Sequence, residues 1–80
     1  MRVYIKVFAS LRNKYPDVND MNPMEREIKK GTSLGELITL IDIKHEEIKI
    51  ALVNGIKKSL DYKIVNEDSI ISLFPPVGGG

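Results

Sequence analysis

The residues with chemistry to offer lie at one end of the chain, in Phe74-Pro75-Pro76-Val77-Gly78-Gly79-Gly80. Neither proline can donate to a ladder and both fix φ near the polyproline value, so they end the preceding strand and aim the chain away from it. Fully extended, residues 75–80 span about 20 Å at roughly 3.3 Å per residue, far enough to carry a carboxylate deep into a partner. The three glycines have no Cβ. Such a tip can enter a slot too narrow for side chains and be gripped through its backbone, at the cost of disorder when free. The candidate reacting group is therefore the α-carboxylate of Gly80, and Pro75, Pro76, Val77, Gly78 and Gly79 form the segment a partner would hold. Residues 75–80 are expected to be an extended flexible tail on a domain of residues 1–74.

Elsewhere the sequence withholds chemistry. It contains no cysteine, which removes disulfides, thiolate metal sites and a cysteine nucleophile together. Any sulfur the chain handles is carried without a thiol of its own. His45, between Lys44 and Glu46, has no second ligand spaced to help it hold a metal and is expected to face solvent. No metal site and no bound cofactor are expected. Twelve basic residues oppose eleven acidic ones and are spread from Arg2 to Lys63, which gives no footprint for nucleic acid. Lys29-Lys30 and Lys57-Lys58 are short basic pairs at strand ends. The opening MRVYIKVFAS alternates apolar and polar residues and soon meets Arg12 and Lys14, so it reads as neither a signal peptide nor a membrane span. A cytoplasmic protein is expected.

The elements that must position the tail follow from hydrophobic period. Eighty residues enclose one core. Arg2–Ala9 sets Val3, Ile5 and Val7 against Tyr4, Lys6 and Phe8, a strand apolar on both faces. Ser10 is expected to cap a helical stretch, Leu11–Tyr15, that Pro16 stops. Met24–Lys30 alternates with one charged face, as an edge strand does. Ser33 and Glu36 form a capping box, and Leu34, Leu37, Ile38 and Ile41 make one helical stripe, predicting a helix over 32–41. Asp42–Lys49 fits either a frayed turn or an irregular connection. Asn54-Gly55 predicts a hairpin joining Ile50–Val53 to Ile56–Leu60. A turn at Asn66-Glu67-Asp68 leads to the last strand, Ile70–Phe74. The two strands apolar on both faces belong side by side in mid-sheet, parallel, with the helix as their crossover. That is an α+β, ubiquitin-like β-grasp with a mixed sheet.

Four segments carry a family resemblance: Val7-Phe8-Ala9-Ser10-Leu11-Arg12, Gly31-Thr32-Ser33-Leu34-Gly35-Glu36-Leu37, Val53-Asn54-Gly55 and Leu73–Gly80. Together they resemble the MoaD family, the small subunit of molybdopterin synthase, within the ubiquitin-like sulfur carriers. The Phe-Pro-Pro-Val run before the terminal Gly-Gly is the specific part. The resemblance implies a carrier, not catalytic alone, whose Gly80 carboxylate is adenylated by an E1-like, MoeB-like enzyme using ATP. A sulfur donor then converts the glycyl adenylate to a thiocarboxylate. Delivery to a pterin precursor would occur in a MoaE-like large subunit, towards a molybdenum or tungsten cofactor. The resemblance also implies a docking patch on the sheet that includes Phe8, Arg12 and Phe74, with Lys57 falling where the family has an apolar residue. Carriers for thiamine or tRNA thiolation, and modifiers joined to lysines through the same carboxylate, share the fold and the Gly-Gly end.

Overall fold

In the computed structural model residues 1–76 are described, and the tail positions Val77, Gly78, Gly79 and Gly80 lie outside the described residues. The first strand, β1 (Arg2–Val7), buries Val3, Ile5 and Val7 completely and turns Tyr4 and Lys6 to the other face. A 3-10 turn, Ala9–Asn13, follows it. Ser10 is not its cap: the turn begins one residue earlier, after extended Phe8, and no side chain caps it. Ala9 makes this early start by adopting φ 53°, a left-handed conformation that costs an L-residue roughly 1–2 kcal/mol. The turn is anchored by buried Leu11 and by the Tyr15 hydroxyl, which donates to the Ile41 carbonyl at the far end of the main helix.

The edge strand β2 (Met24–Glu27) is shorter than the 24–30 alternation predicts. Beyond it Ile28 pairs with Met1, whose carbonyl accepts from Ile28 N–H at 2.8 Å. The helix α1 (Leu34–Leu40) is likewise shorter than 32–41 because the capping box fixes its start at Ser33. Glu36 N–H donates to Ser33 Oγ at 3.1 Å, and Ser33 N–H donates to Glu36 Oε1 at 3.0 Å. The predicted stripe, Leu34, Leu37, Ile38 and Ile41, is buried in full. Gly35 sits where a side chain has no room. A Cβ there would stand 3.1 Å from His45 Cε1 and 3.3 Å from the Leu60 carbonyl oxygen.

The ambiguous segment 42–49 resolves into a connection with one 3-10 turn, His45–Glu47, and a core residue, Ile43, 2% exposed. His45 is exposed, as expected, yet it is held: Nε2 lies 2.9 Å from the Gly35 carbonyl oxygen and 3.2 Å from Thr39 Oγ1. The hairpin joins β3 (Ile50–Val53) to β4 (Ile56–Lys57) through Asn54 and Gly55, both at positive φ. Its second strand ends at Lys57, short of Leu60. The last strand is β5 (Ser69–Phe74).

Sheet order is β2-β1-β5-β3-β4. β1 and β5 are neighbours and parallel, with Val3 opposite Ser69 and Val7 opposite Leu73, while the other pairings are antiparallel. Residues Val3, Ile5, Val7, Ala51, Val53, Ile71 and Leu73 from the sheet join Leu34, Leu37, Ile38 and Ile41 from the helix in one core cluster. This is the β-grasp, and it covers only one face of the sheet. Among the described residues no helix is long and apolar enough to cross a membrane.

Candidate functional site

The face of the sheet turned away from α1 is built by the residues that alternate with the core. Phe8 follows β1 one step past the Val7–Leu73 pairing, which sets it beside Phe74 at the end of β5. Their rings stack with centroids 4.5 Å apart and planes inclined by 7°, a contact worth about 0.5–1.5 kcal/mol beyond its buried area. Ile50 of β3 pairs with Phe74 from the other side. A row of three apolar side chains thus crosses the sheet at one end. Ile50 is 36% exposed, and both phenylalanines are half-buried.

One step along the strands, Lys6 pairs with Ser72, Ser72 with Leu52 and Leu52 with Lys57. A further step brings Tyr4 beside Ile70, which is 41% exposed. The apolar surface is therefore a diagonal stripe of Tyr4, Ile70, Leu52, Ile50, Phe74 and Phe8, which stacks on no part of the described protein. Of these, Tyr4, Ile50, Leu52 and Ile70 were not singled out by sequence. Their signal was present in the register of the hairpin, since whatever pairs with Phe74 or Ser72 must share their face.

Charges surround the stripe. Arg12 leaves the 3-10 turn with its guanidinium carbon 5.6 Å from the Phe8 ring centroid, and its Nε donates to the Val7 carbonyl at 3.2 Å. Arg2 is held by Glu25 at 3.2 Å and Glu27 at 3.6 Å, and Lys6 by Asp20 at 3.6 Å. Lys57 is exposed and makes no ion pair among the described residues. Phe8, Arg12 and Phe74 thus come together as one cluster. Lys57 shares their face but stands apart from them, on the outermost strand.

Pro75 and Pro76 leave β5 directly after Phe74. The tail departs from the same end of the sheet at which the Phe8–Phe74 stack lies. The rest of the tail-binding segment, Val77 to Gly79, and the candidate reacting group at Gly80 fall outside the described residues. No cluster of three potential metal ligands occurs among the described residues. An open groove of about 800 Å³ lies on the helix side, between α1 and Leu60, and none of Phe8, Arg12, Lys57 and Phe74 lines it.

Comparison with known proteins bears on this arrangement. The ThiS family matches residues 5–80. A molybdopterin converting factor, subunit 1, from Pyrococcus furiosus is similar at 26% identity, with a TM-score of 0.71 over 96% of this chain and 99% of that one. Small archaeal modifier protein 1 from Haloferax volcanii has the same fold at 18% identity and a TM-score of 0.73, over 95% and 98% of the two chains. A complex of subunits 1 and 2 of molybdopterin-converting factor from Helicobacter pylori contains a further match, 20% identical, with a TM-score of 0.61 over the full length of both chains. No curated protein matches the sequence significantly.

Proposed function

This chain belongs to the ThiS family of ubiquitin-like sulfur carriers, and we propose that it carries sulfur on the Gly80 carboxylate as the small subunit of a molybdopterin synthase. The observation that carries the reading is the union of two features at one end of the sheet. An uncovered aromatic stripe ends at Phe74, and the Pro75-Pro76 brace of a Gly-Gly tail begins there. A partner that seats the stripe receives the tail, so binding energy on the sheet positions the reacting group.

The chemistry fits a chain without catalytic side chains. A carboxylate is a poor electrophile, so an oxygen of the Gly80 carboxylate attacks the α-phosphorus of ATP in an adenylating enzyme and pyrophosphate leaves. The resulting acyl adenylate has AMP as leaving group, and attack by a sulfur donor expels it to leave a thiocarboxylate. Acid and base groups belong to the partners. The molybdopterin assignment is supported by the Phe-Pro-Pro-Val end motif and by the likeness to subunit 1 of a converting factor, whose Helicobacter relative is complexed with a subunit 2. By that likeness the partners are a large synthase subunit and an adenylating enzyme. A second reading, a modifier joined to lysines through Gly80, is favoured by the likeness to the Haloferax modifier protein.

The test is intact-mass spectrometry of the protein after incubation with its adenylating enzyme, ATP and a sulfur donor. The expected outcome is exchange of one oxygen for one sulfur, followed by loss of that sulfur to a pterin precursor on adding the large subunit. A chain that never gains sulfur with a competent enzyme overturns the carrier role. A chain recovered on lysines replaces it with the modifier reading.

A further inference from the structure

The docking face is not electrically neutral where it is unpaired. Its carboxylates Glu25, Glu27 and Asp20 are already engaged with Arg2 and Lys6. Two cations without a carboxylate partner among the described residues remain, one at each side of the stripe. Arg12 lies over Phe8, and Lys57 stands on β4, the outermost strand beyond Leu52.

From β1 to β4 is three strand spacings, roughly 14 Å. That distance lies well inside the footprint of a standard protein interface, about 800 Å² on each partner. A partner that covers the Phe8–Phe74 stack therefore also covers Lys57. Burying that ammonium without a counter-charge would cost binding energy, so the surface that meets it needs an acidic group. Whatever the later destination of the sulfur, the Gly80 carboxylate must first be activated, so the partner every version of the carrier role requires is the ATP-using adenylating enzyme.

We propose that Lys57 is a specificity-determining residue for docking to the adenylating enzyme, which presents a carboxylate to it. The proposal rests on the sulfur-carrier reading above. Lys58 supplies the internal contrast. It is adjacent in sequence and equal in charge, but its ammonium lies 4.7 Å from the Tyr62 ring centroid, and Tyr62 packs against the core on the helix side. A contact on the stripe face uses Lys57 and not Lys58, whereas a long-range attraction uses both.

The experiment is carrier-dependent ATP–pyrophosphate exchange by the adenylating enzyme of the same organism, with KM for the carrier separated from kcat. Lys57→Glu is expected to raise KM about tenfold at low salt with kcat nearly unchanged, and Lys57→Gln a few-fold, as charge removal at an interface rim does. The difference should shrink at 0.5 M salt, where screening is short-ranged. Lys58→Glu should leave KM close to that of the unmodified chain. Thermal melting of each variant confirms the fold, which an exposed edge residue without ion pairs does not support. An unchanged KM for Lys57→Glu, or an equal rise for Lys58→Glu, overturns the proposal while the carrier role stands. Absence of exchange with the unmodified chain overturns both.

Discussion

Asn54 does more than its place in an Asn-Gly turn requires. At φ 51° it occupies the left-handed region, its N–H donates to the Ile70 carbonyl at 2.8 Å, and its Oδ1 accepts from Ile70 N–H at 2.9 Å. One residue thereby ties the hairpin to β5, the strand that carries the tail. Asn54→Ala loses the acceptor and pays for positive φ, so it should destabilise the protein by about 2–3 kcal/mol in urea unfolding. Asn54→Gly keeps the backbone at ease and loses only the acceptor, for about 1 kcal/mol. Equal losses would show that the turn, not the side-chain bond, is what matters. The turn was legible from two letters, but the bond was not, because its partner lies sixteen residues away. Phe8 shows the same boundary. Period two says that Phe8 and Val7 face opposite ways and is silent on which side the helix covers. Only the packing of Val7 with Leu73 under α1 leaves Phe8 on the uncovered side.

At the scale of elements, α1 was the most legible because cap and stripe agree, and its first turn makes a quantitative pH prediction of sign. The Ser33 amide and hydroxyl both bond the Glu36 carboxylate, and its pKa is lowered, chiefly by the backbone bond. With a folded pKa below the unfolded one, the unfolded chain binds more protons in that window and stability falls as the pH falls. The contribution is complete above the ordinary glutamate range and is lost as the pH drops through the lowered folded value. Glu36→Gln keeps the capping geometry and removes the charge. The variant should be less stable than the parent at neutral pH, and the two should converge on the acid side of the carboxylate range. A gap in melting temperature that is constant with pH would assign the cap no charge component. The elements that shortened relative to expectation, β2 and β4, did so where a strand lost its neighbour. Alternation continues along a sequence after pairing has stopped, so pattern overestimates edge strands more than central ones. The 3-10 turn at 9–13 was misplaced for another reason: Ser10 has the composition of a cap, but strained Ala9 starts the turn before it.

At the scale of the whole molecule, the division between what folds and what reacts falls after Phe74. Every member of the core cluster lies between Val3 and Leu73, while the group proposed to react is at Gly80. The parallel pairing of β1 with β5 makes this division useful. It places the last strand in mid-sheet, so the tail is held at its root by two neighbouring strands instead of hanging from an edge. Sequence reasoning reached that topology from two strands apolar on both faces, and it reached the tail from composition. It did not reach the diagonal stripe, which exists only once four strands are in register. Deletion of Gly79 and Gly80 should therefore abolish adenylation and sulfur loading entirely in the exchange and mass assays. The same deletion should shift the melting temperature by no more than about 3 °C, the effect expected of a change outside the core in a domain this small. Phe74→Asp makes the converse case. It should weaken docking to the adenylating enzyme and the large subunit while leaving Gly80 chemically intact, so that a high concentration of enzyme restores sulfur loading to the folded variant. If the deletion instead unfolds the chain, or if loading survives it, the fold and the reacting end are not separable in the way the core cluster implies.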